Sequence, residues 1–153
     1  MRTTSTALAS WNAGEEMTRY LLDTDAVIDY VAGIPGSVTL IDGLFESGNV
    51  LCVSAVVVAE VYAGLTPGDI GKSEGFVGAC VFLPTGFEEA RQAGEWAFQF
   101  KRRGVTLSLT DTLIAATARS HGATIVTANI RDYPMPEVSI LSLPRANRKS
   151  EKA

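Results

Sequence analysis

The stretch YLLDTDAVIDYV, residues 20–31, decides the fold class, because a short apolar run passes through acidic residues directly into a helical pattern. Residues 20–22 are predicted to form a buried strand, and residues 26–31 are predicted to continue as a helix. Further strands are predicted at residues 50–53, 79–83, 124–127 and 138–141. Short strands that alternate with helices indicate a parallel sheet covered by helices. We therefore predict an α/β protein with a three-layer α/β/α arrangement and a mainly parallel sheet.

The helices between these strands are predicted from apolar periodicity and from capping residues. Ser54 is a suitable N-cap for a helix through residue 63, although the Val-rich run at 56–58 equally suits a strand. Thr85 and Glu88 have the spacing of a capping box that opens a helix to residue 103. The apolar stripe predicted for that helix is Phe87, Ala90, Gly94, Ala97 and Phe98. The remaining predictions are helices at residues 38–45 and 110–121 and a loop at residues 66–75.

The composition indicates one compact domain. The chain has 153 residues, of which 46% are hydrophobic and 20% are charged, and these fractions suit a protein with a substantial core. We expect residues 1–16 to be a disordered N-terminal extension, residues 17–143 to form the domain, and residues 144–153 to be a basic tail. No apolar run is long enough to span a membrane. We therefore expect a cytoplasmic protein without a membrane partner.

The formal net charge of −4 argues against a protein that binds nucleic acid through general basicity. Basic residues are nevertheless clustered at 101–103 and in the tail. A solvated helix end and a disordered tail explain these clusters as well as a nucleic-acid contact does, and Arg102 is our candidate for a substrate contact. The two cysteines and the single histidine lack the spacing of a zinc site and give little support for nucleophilic catalysis.

Four acidic residues stand at strand ends or helix starts. Ligands of open α/β sheets bind beyond the carboxyl ends of the strands. Asp23 directly follows a predicted strand, and Asp132 comes shortly after another. Asp111 falls in the first turn of a helix, where the helix dipole favours an acid. Glu60 shares a helix face with Val57 and other apolar residues, so we expect it to point inward as well.

Carboxylates that gather in one place need a counter-charge. Two like charges about 4 Å apart repel by about 4 kcal/mol at an effective dielectric constant near 20. Carboxylate oxygens are hard ligands that suit Mg²⁺, or Mn²⁺, better than zinc. One or two such ions could orient a water, lower its pKa and stabilise charge on a phosphate. Singly, Asp111 and Asp132 are common helix-start and turn acids. Their joint placement with the other two acids favours metal-assisted phosphodiester chemistry.

Four segments in order also resemble a known family. They are LLDTDAVID at 21–29, VSAVVVAEVYAG at 53–64, LTDTLIAA at 109–116 and TIVTANIRDY at 124–133. These segments resemble the PIN-domain ribonucleases, and within them the VapC-type toxins of prokaryotic toxin–antitoxin pairs. The resemblance extends from residue 18 to about residue 143. It implies a Mg²⁺-dependent endoribonuclease that forms a homodimer, acts on RNA and is inhibited by a cognate antitoxin.

Carried over residue by residue, the resemblance implies that the catalytic and metal-binding acids are Asp23, Glu60, Asp111 and Asp132. It implies that Thr24 and Asn129 are polar residues beside the site, and we assign them with Arg102 to substrate binding. The fourth acid is the most variable in the family.

Two positions depart from the family pattern. Asp25 stands where many relatives have Ser, Asn or another small polar residue, so it is either an additional acid or only a helix cap. Tyr133 stands where Phe is frequent, and from the sequence this change has no evident chemical cost.

Two other interpretations of the sequence remain open. An apolar strand followed by Asp23 also resembles the nucleophile motif of haloacid-dehalogenase-type phosphatases. That reading needs a later lysine and a paired acidic motif. Lys72 and Lys101 are the only interior lysines, and the chain has no Asp-Asp pair. The second alternative is a catalytically inactive relative that serves as an interaction module.

Overall fold

The computed structural model describes residues 17–144, and the predictions for residues 1–16 and 145–153 lie outside that range. The strands are β1 (Arg19–Leu22), β2 (Val50–Ser54), β3 (Val81–Leu83), β4 (Ala123–Thr127) and β5 (Ile140–Ser142). The helices are α1 (Thr24–Val31), α2 (Pro35–Glu46), α3 (Ala55–Ala63), α4 (Ile70–Ala79), α5 (Phe87–Arg102) and α6 (Leu109–Ser120). A 3-10 helix covers Ile130–Asp132.

β1 is the central strand of a five-stranded sheet. The strand order is β3-β2-β1-β4-β5, and the four pairings are all parallel. Leu21 and Leu22 are fully buried in β1, which explains why this strand is a continuous apolar run and not an alternating one. Helices flank the sheet, so the predicted three-layer α/β/α arrangement with a parallel sheet is confirmed.

Side-chain caps fix the starts of three helices. Asp23 is the N-cap of α1, Ser54 is the N-cap of α3, and Ser108 is the N-cap of α6. Each side-chain oxygen accepts a hydrogen bond from a backbone N–H of the first turn, which would otherwise have no partner in the helix. The helix predicted after Ser54 is confirmed. Its valines fit a helix because Val57 and Val61 are buried in the core.

The loop predicted at residues 66–75 is wrong over its second half, because α4 begins at Ile70. Three glycines in this helix, Gly71, Gly75 and Gly78, lower its intrinsic helix propensity and hide it from a sequence reading. Tertiary contacts hold it instead. The ring of Phe76 stacks on Tyr30 with 4.3 Å between centroids. The strand predicted from residue 79 accordingly starts later, at β3.

The cap and the apolar stripe predicted for α5 are also wrong. The N-cap lies one residue later, at Gly86, and only the glutamate half of a capping box is formed: Glu89 Oε1 accepts from the Gly86 N–H at 2.7 Å. The buried stripe is Ala93, Trp96 and Phe100. Phe87 and Phe98 are 80% and 63% exposed. Because Phe98 and Phe100 are the same size, side-chain size does not select the buried face. The buried face is the one that packs against α6.

Two glycines end helices as the sequence predicts. Gly104 and Gly122 follow α5 and α6 and have positive φ angles of 82° and 63°. Only glycine adopts this conformation without a steric cost from Cβ.

Within residues 17–144, no single helix has the length and apolar composition needed to cross a membrane. The pair α1 and α2 passes that test only when taken together, and the two helices are bent by 105° at their junction.

Candidate active site

The carboxyl ends of the neighbouring strands β1 and β4 bring the first and last predicted acids to one edge of the sheet. The two strands pair in register, with Leu22 opposite Val126. Just beyond this pair, the Asp23 N–H donates to the Val126 carbonyl at 3.0 Å. The chain then leaves β4 through the 3-10 helix, which carries Asp132. The site is therefore built where sequence position predicts it, at the carboxyl edge of a parallel sheet.

Asp23 is the most deeply buried of the four acids, with 7% of its surface exposed. Its Oδ1 accepts from the Thr24 N–H at 2.7 Å. Its Oδ2 accepts from two hydroxyls, Thr127 Oγ1 at 2.9 Å and Tyr133 Oη at 2.8 Å. A carboxylate can be buried only when such donors replace water. The protein thus holds Asp23 in one orientation through three donors.

Thr24 links Asp23 to Glu60. While the Thr24 N–H binds Asp23, the Thr24 hydroxyl donates to Glu60 Oε1 at 2.6 Å. Glu60 is exposed, so the expectation that it points into the core is wrong. Val57 and Val61 are the buried residues of α3, and Glu60 lies at the rim with its carboxylate turned toward the start of α1.

Asp111 and Asp132 complete the acidic group. Burial raises the pKa of the Asp111 carboxyl to about 6, against the lowering effect of the Ser108 hydrogen bond, and the charges of Asp132, Asp23 and Glu60 raise it further. Burial and the charge of Asp23 also raise the pKa of Asp132. The interaction energy between two charges falls as the distance between them grows. These shifts therefore show that the four acids share one electrostatic environment.

No basic side chain neutralises these acids in the part of the chain that the structure describes. The two ion pairs found between residues 17 and 144 both belong to Arg91, which contacts Glu88 and Glu95. Over the same residues, no three acidic, histidine or cysteine side chains converge closely enough to share one ion as they stand. Hydroxyl donors hold two of the carboxylates where they stand, Thr24 that of Glu60 and Thr127 and Tyr133 that of Asp23.

The donor set nevertheless fits a hard divalent cation. All four side chains offer carboxylate oxygens, the ligands that Mg²⁺ and Mn²⁺ prefer. Neither of the free cysteines, Cys52 and Cys80, takes part. Burial raises the pKa of Asp111 most, and the charges of the neighbouring acids raise it further; a bound cation would oppose both effects.

Asp25 connects α1 to the loop after β4. Its Oδ2 accepts from the Ala128 N–H at 3.1 Å and from Asn129 Nδ2 at 3.2 Å. The Asn129 N–H in turn donates to Thr127 Oγ1 at 3.0 Å. Both roles left open for Asp25, an additional acid or a helix cap, stay predictions. Asp25 fixes the segment that carries Asn129 and leads to Asp132.

Arg102 is not brought to the acids by any contact found within the described residues. It lies exposed in the last turn of α5, with its guanidinium carbon 5.8 Å from the centroid of the Phe98 ring. Its assignment to substrate binding stays a prediction, and so do the assigned roles of the four acids, Thr24 and Asn129.

Tyr133 is the site residue whose role the sequence does not reveal. It is 3% exposed, and its hydroxyl contacts Asp23 across 110 positions of the chain. Burial and the neighbouring Asp23 charge raise the pKa of the phenol well above its usual range, so the hydroxyl keeps its proton and donates. The only sequence signal was a hydroxyl placed where Phe is frequent.

The family match and similar known proteins point to the same family. Residues 20–138 match the PIN domain family. Ribonuclease VapC19 of Mycobacterium tuberculosis is 30% identical over 115 residues, which cover 75% of this chain and 92% of the relative. A tRNA(fMet)-specific endonuclease VapC of Shigella flexneri is 29% identical over 76% of this chain and 91% of its own length.

A solved structure also shares the fold. DNA-bound VapBC of Salmonella typhimurium superposes with a TM-score of 0.72 at 25% identity and covers 84% of this chain and 100% of the compared chain. Residues 20–138, which match the PIN domain family, contain all four acids. The chain therefore belongs to the PIN-domain family, among the VapC-type ribonucleases.

Proposed function

We propose that this protein is a Mg²⁺-dependent endoribonuclease and the toxin of a type II toxin–antitoxin pair. The observation that carries the proposal is the group of four acids at the carboxyl edge of the sheet, which no basic side chain among residues 17–144 neutralises. VapC-type PIN-domain nucleases depend on a metal ion. The choice of Mg²⁺, with Mn²⁺ as a substitute, rests on the hard oxygen donors.

Asp23, Glu60, Asp111 and Asp132 are the residues that would hold the ion. When bound, a divalent metal stabilises developing charge on the phosphate and activates water for hydrolysis. The protein contributes the placement of the carboxylates. Thr24 holds Glu60 beside Asp23. The pKa of Asp111 is raised to about 6, and ion binding is expected to lower this pKa and so to release protons.

RNA is the proposed substrate. The Shigella relative is described as specific for a transfer RNA, which makes transfer RNA one candidate to test. Arg102 and the exposed Phe98 ring offer a cation for phosphate and a flat surface for a base. Asn129 is the proposed polar contact nearest the acids. Its amide already donates to Asp25, which would leave the carbonyl side for substrate.

A small antitoxin is the proposed partner, and the solved relative is itself a VapBC assembly bound to DNA. A groove between α1, α3 and α4 offers an apolar surface for an antitoxin helix. It encloses about 120 Å³, and Ile28, Val31, Val61 and Leu65 are among its lining residues. An inserted Arg or Lys could then pair with the carboxylates of the site. A homodimer is also proposed, from the family alone.

The proposed domain boundaries are 17 and 143, with residues 1–16 as an extension and residues 144–153 as a basic tail. We also propose that the protein works in the cytoplasm, where an antitoxin made beside it could meet it.

Purified protein incubated with total RNA, in Mg²⁺ and in chelator, tests the proposal. Cleavage that requires Mg²⁺ and disappears in Asp23→Asn and Asp111→Asn is the expected result. Mapping of the cut ends identifies the RNA. Absence of cleavage by a metal-loaded protein that still binds its antitoxin would instead favour the inactive interaction module. Release of phosphate from a monoester would favour the phosphatase reading.

A further inference from the structure

Tyr133 has a contact that the proposed chemistry does not by itself require. The residue directly follows Asp132, yet its ring packs in the core and its hydroxyl donates to Asp23 Oδ2 at 2.8 Å. A phenylalanine would fill the same space without the hydroxyl. The buried phenol therefore adds one donor to the most buried acid of the site.

A count of donors shows how the two oxygens of Asp23 differ. A carboxylate oxygen accepts about two hydrogen bonds. Within the described residues, Oδ2 accepts from both Thr127 and Tyr133, so its capacity is filled. Among residues 17–144, Oδ1 accepts only from the Thr24 N–H and keeps room for one more ligand. Oδ1 is also the oxygen on the side of Glu60, because the same Thr24 donates to both carboxylates.

We infer that Tyr133 is a positioning residue that locks the Asp23 carboxylate so that Oδ1, and not Oδ2, faces the cation. The inference rests on the proposed metal-dependent function. Thr127 alone gives a weaker lock, because its single hydroxyl supplies one of the two hydrogen bonds to Oδ2. With two hydroxyls on one oxygen, rotation of the carboxylate about its Cβ–Cγ bond would break two charge-assisted hydrogen bonds at once.

The substitution Tyr133→Phe removes the hydroxyl and keeps the ring. Tyr30→Phe is a matched control, because Tyr30 Oη likewise donates to an aspartate, Asp42 Oδ1, at 2.6 Å, and lies outside the acidic group. Both variants lose one phenol-to-carboxylate hydrogen bond. A purely structural role for Tyr133 would therefore give the same results in both.

The first measurement is the affinity of the full chain for Mn²⁺, for which electron paramagnetic resonance reports the concentration of free ion. The second is the melting temperature without metal. Loss of a hydrogen bond behind a metal ligand weakens metal affinity by about 10–100-fold. We expect the Kd for Mn²⁺ to rise by at least about tenfold in Tyr133→Phe and to stay unchanged in Tyr30→Phe. RNA cleavage by Tyr133→Phe should require more Mn²⁺ and approach the wild-type rate at saturation.

Thr127→Val is a second variant that removes the other donor to Oδ2 and should weaken Mn²⁺ binding in the same way. Equal Mn²⁺ affinity in the wild type, Tyr133→Phe and Thr127→Val would overturn the inference and leave the proposed function intact. A wild-type protein that neither binds Mn²⁺ nor cleaves RNA would overturn the proposed function, and the inference with it.

Discussion

The two sides of the candidate site are built differently. On the β1–β4 side, Asp23 is buried and accepts from three donors. On the helix side, Glu60 is exposed with one hydroxyl donor, and Asp111 is half-buried with a raised pKa. One side is organised before any cation arrives, and the other holds charge that the fold leaves poorly compensated. The charge of Asp23 thus helps to stabilise the fold, whereas the charge of Asp111 destabilises it.

Asp23→Asn should give the largest effect of these variants. If the variant kept its activity and stability, the distinction between the two sides of the site would be wrong. We expect RNA cleavage to fall by roughly a hundredfold or more, because a metal supplies several kcal/mol of transition-state stabilisation. The asparagine also turns an N–H₂ group toward existing donors, so unfolding free energy should fall by about 1–3 kcal/mol. Activity assays and thermal melts without metal measure both. A more stable variant would contradict the assignment of Asp23 as the organised acid.

Asp111→Asn should reduce cleavage similarly but change stability in the opposite direction. Removal of this charge removes the cost of burying it and its repulsion from three neighbouring acids. The metal-free variant should therefore melt a few degrees higher, at roughly 3 °C for each kcal/mol in a chain of this length. Thermal melts in chelator measure the change. A lower melting temperature would show that Asp111 is stabilised by its surroundings, as Asp23 is.

Asp25→Ala should have a moderate effect, through position and not through charge. It removes the acceptor for the Ala128 N–H and for Asn129 Nδ2, so the loop that leads to Asp132 should loosen. Cleavage is expected to fall by about tenfold, since small misplacements of site residues are costly. Hydrogen exchange should increase in residues 128–132. Asp69→Ala, which removes a carboxylate bonded to Thr66 at the start of α4, is the control and should leave cleavage unchanged.

The pH dependence of stability should show the smallest effect. The folded-state pKa of Asp111 is raised from 3.8 to about 6, so the folded state binds this proton more tightly than the unfolded state does. The resulting stabilisation is fully present below about pH 4 and is lost as the pH rises through about 6. Melting curves in chelator should therefore report a contribution that declines over this window. Mg²⁺ should restore stability above pH 6, and the decline should be absent in Asp111→Asn.

Local patterns were sufficient to predict one part of the molecule. The apolar runs of β1, β2 and β4, the Ser54 cap and the glycine stops depend on neighbouring residues, and the structure agrees with them. The position of Asp23 is also predictable from local patterns, because the end of a strand and the cap of a helix coincide at this residue.

Other features depend on contacts that sequence spacing does not contain. The helix α4 has three glycines and is held by the stacking of Phe76 on Tyr30. The exposure of Glu60 depends on where α3 lies against the sheet, and not on its helical period. Tyr133 meets Asp23 only because β1 and β4 are neighbours in the folded sheet. The missing information is the position of α3 against the sheet for Glu60, and the pairing of β1 with β4 for Tyr133.

The strand order has a consequence for a ribosome making this chain. Asp23 emerges early, but its hydroxyl donors Thr127 and Tyr133 come 104 and 110 residues later. At about 5–20 residues per second, the organised side of the site can form only after about 5–20 s of further synthesis. Until then, a nascent chain carries Asp23 and Glu60 without their final arrangement. A nuclease with this topology becomes competent to cut RNA only after the segment that contains Thr127 and Tyr133 has been translated.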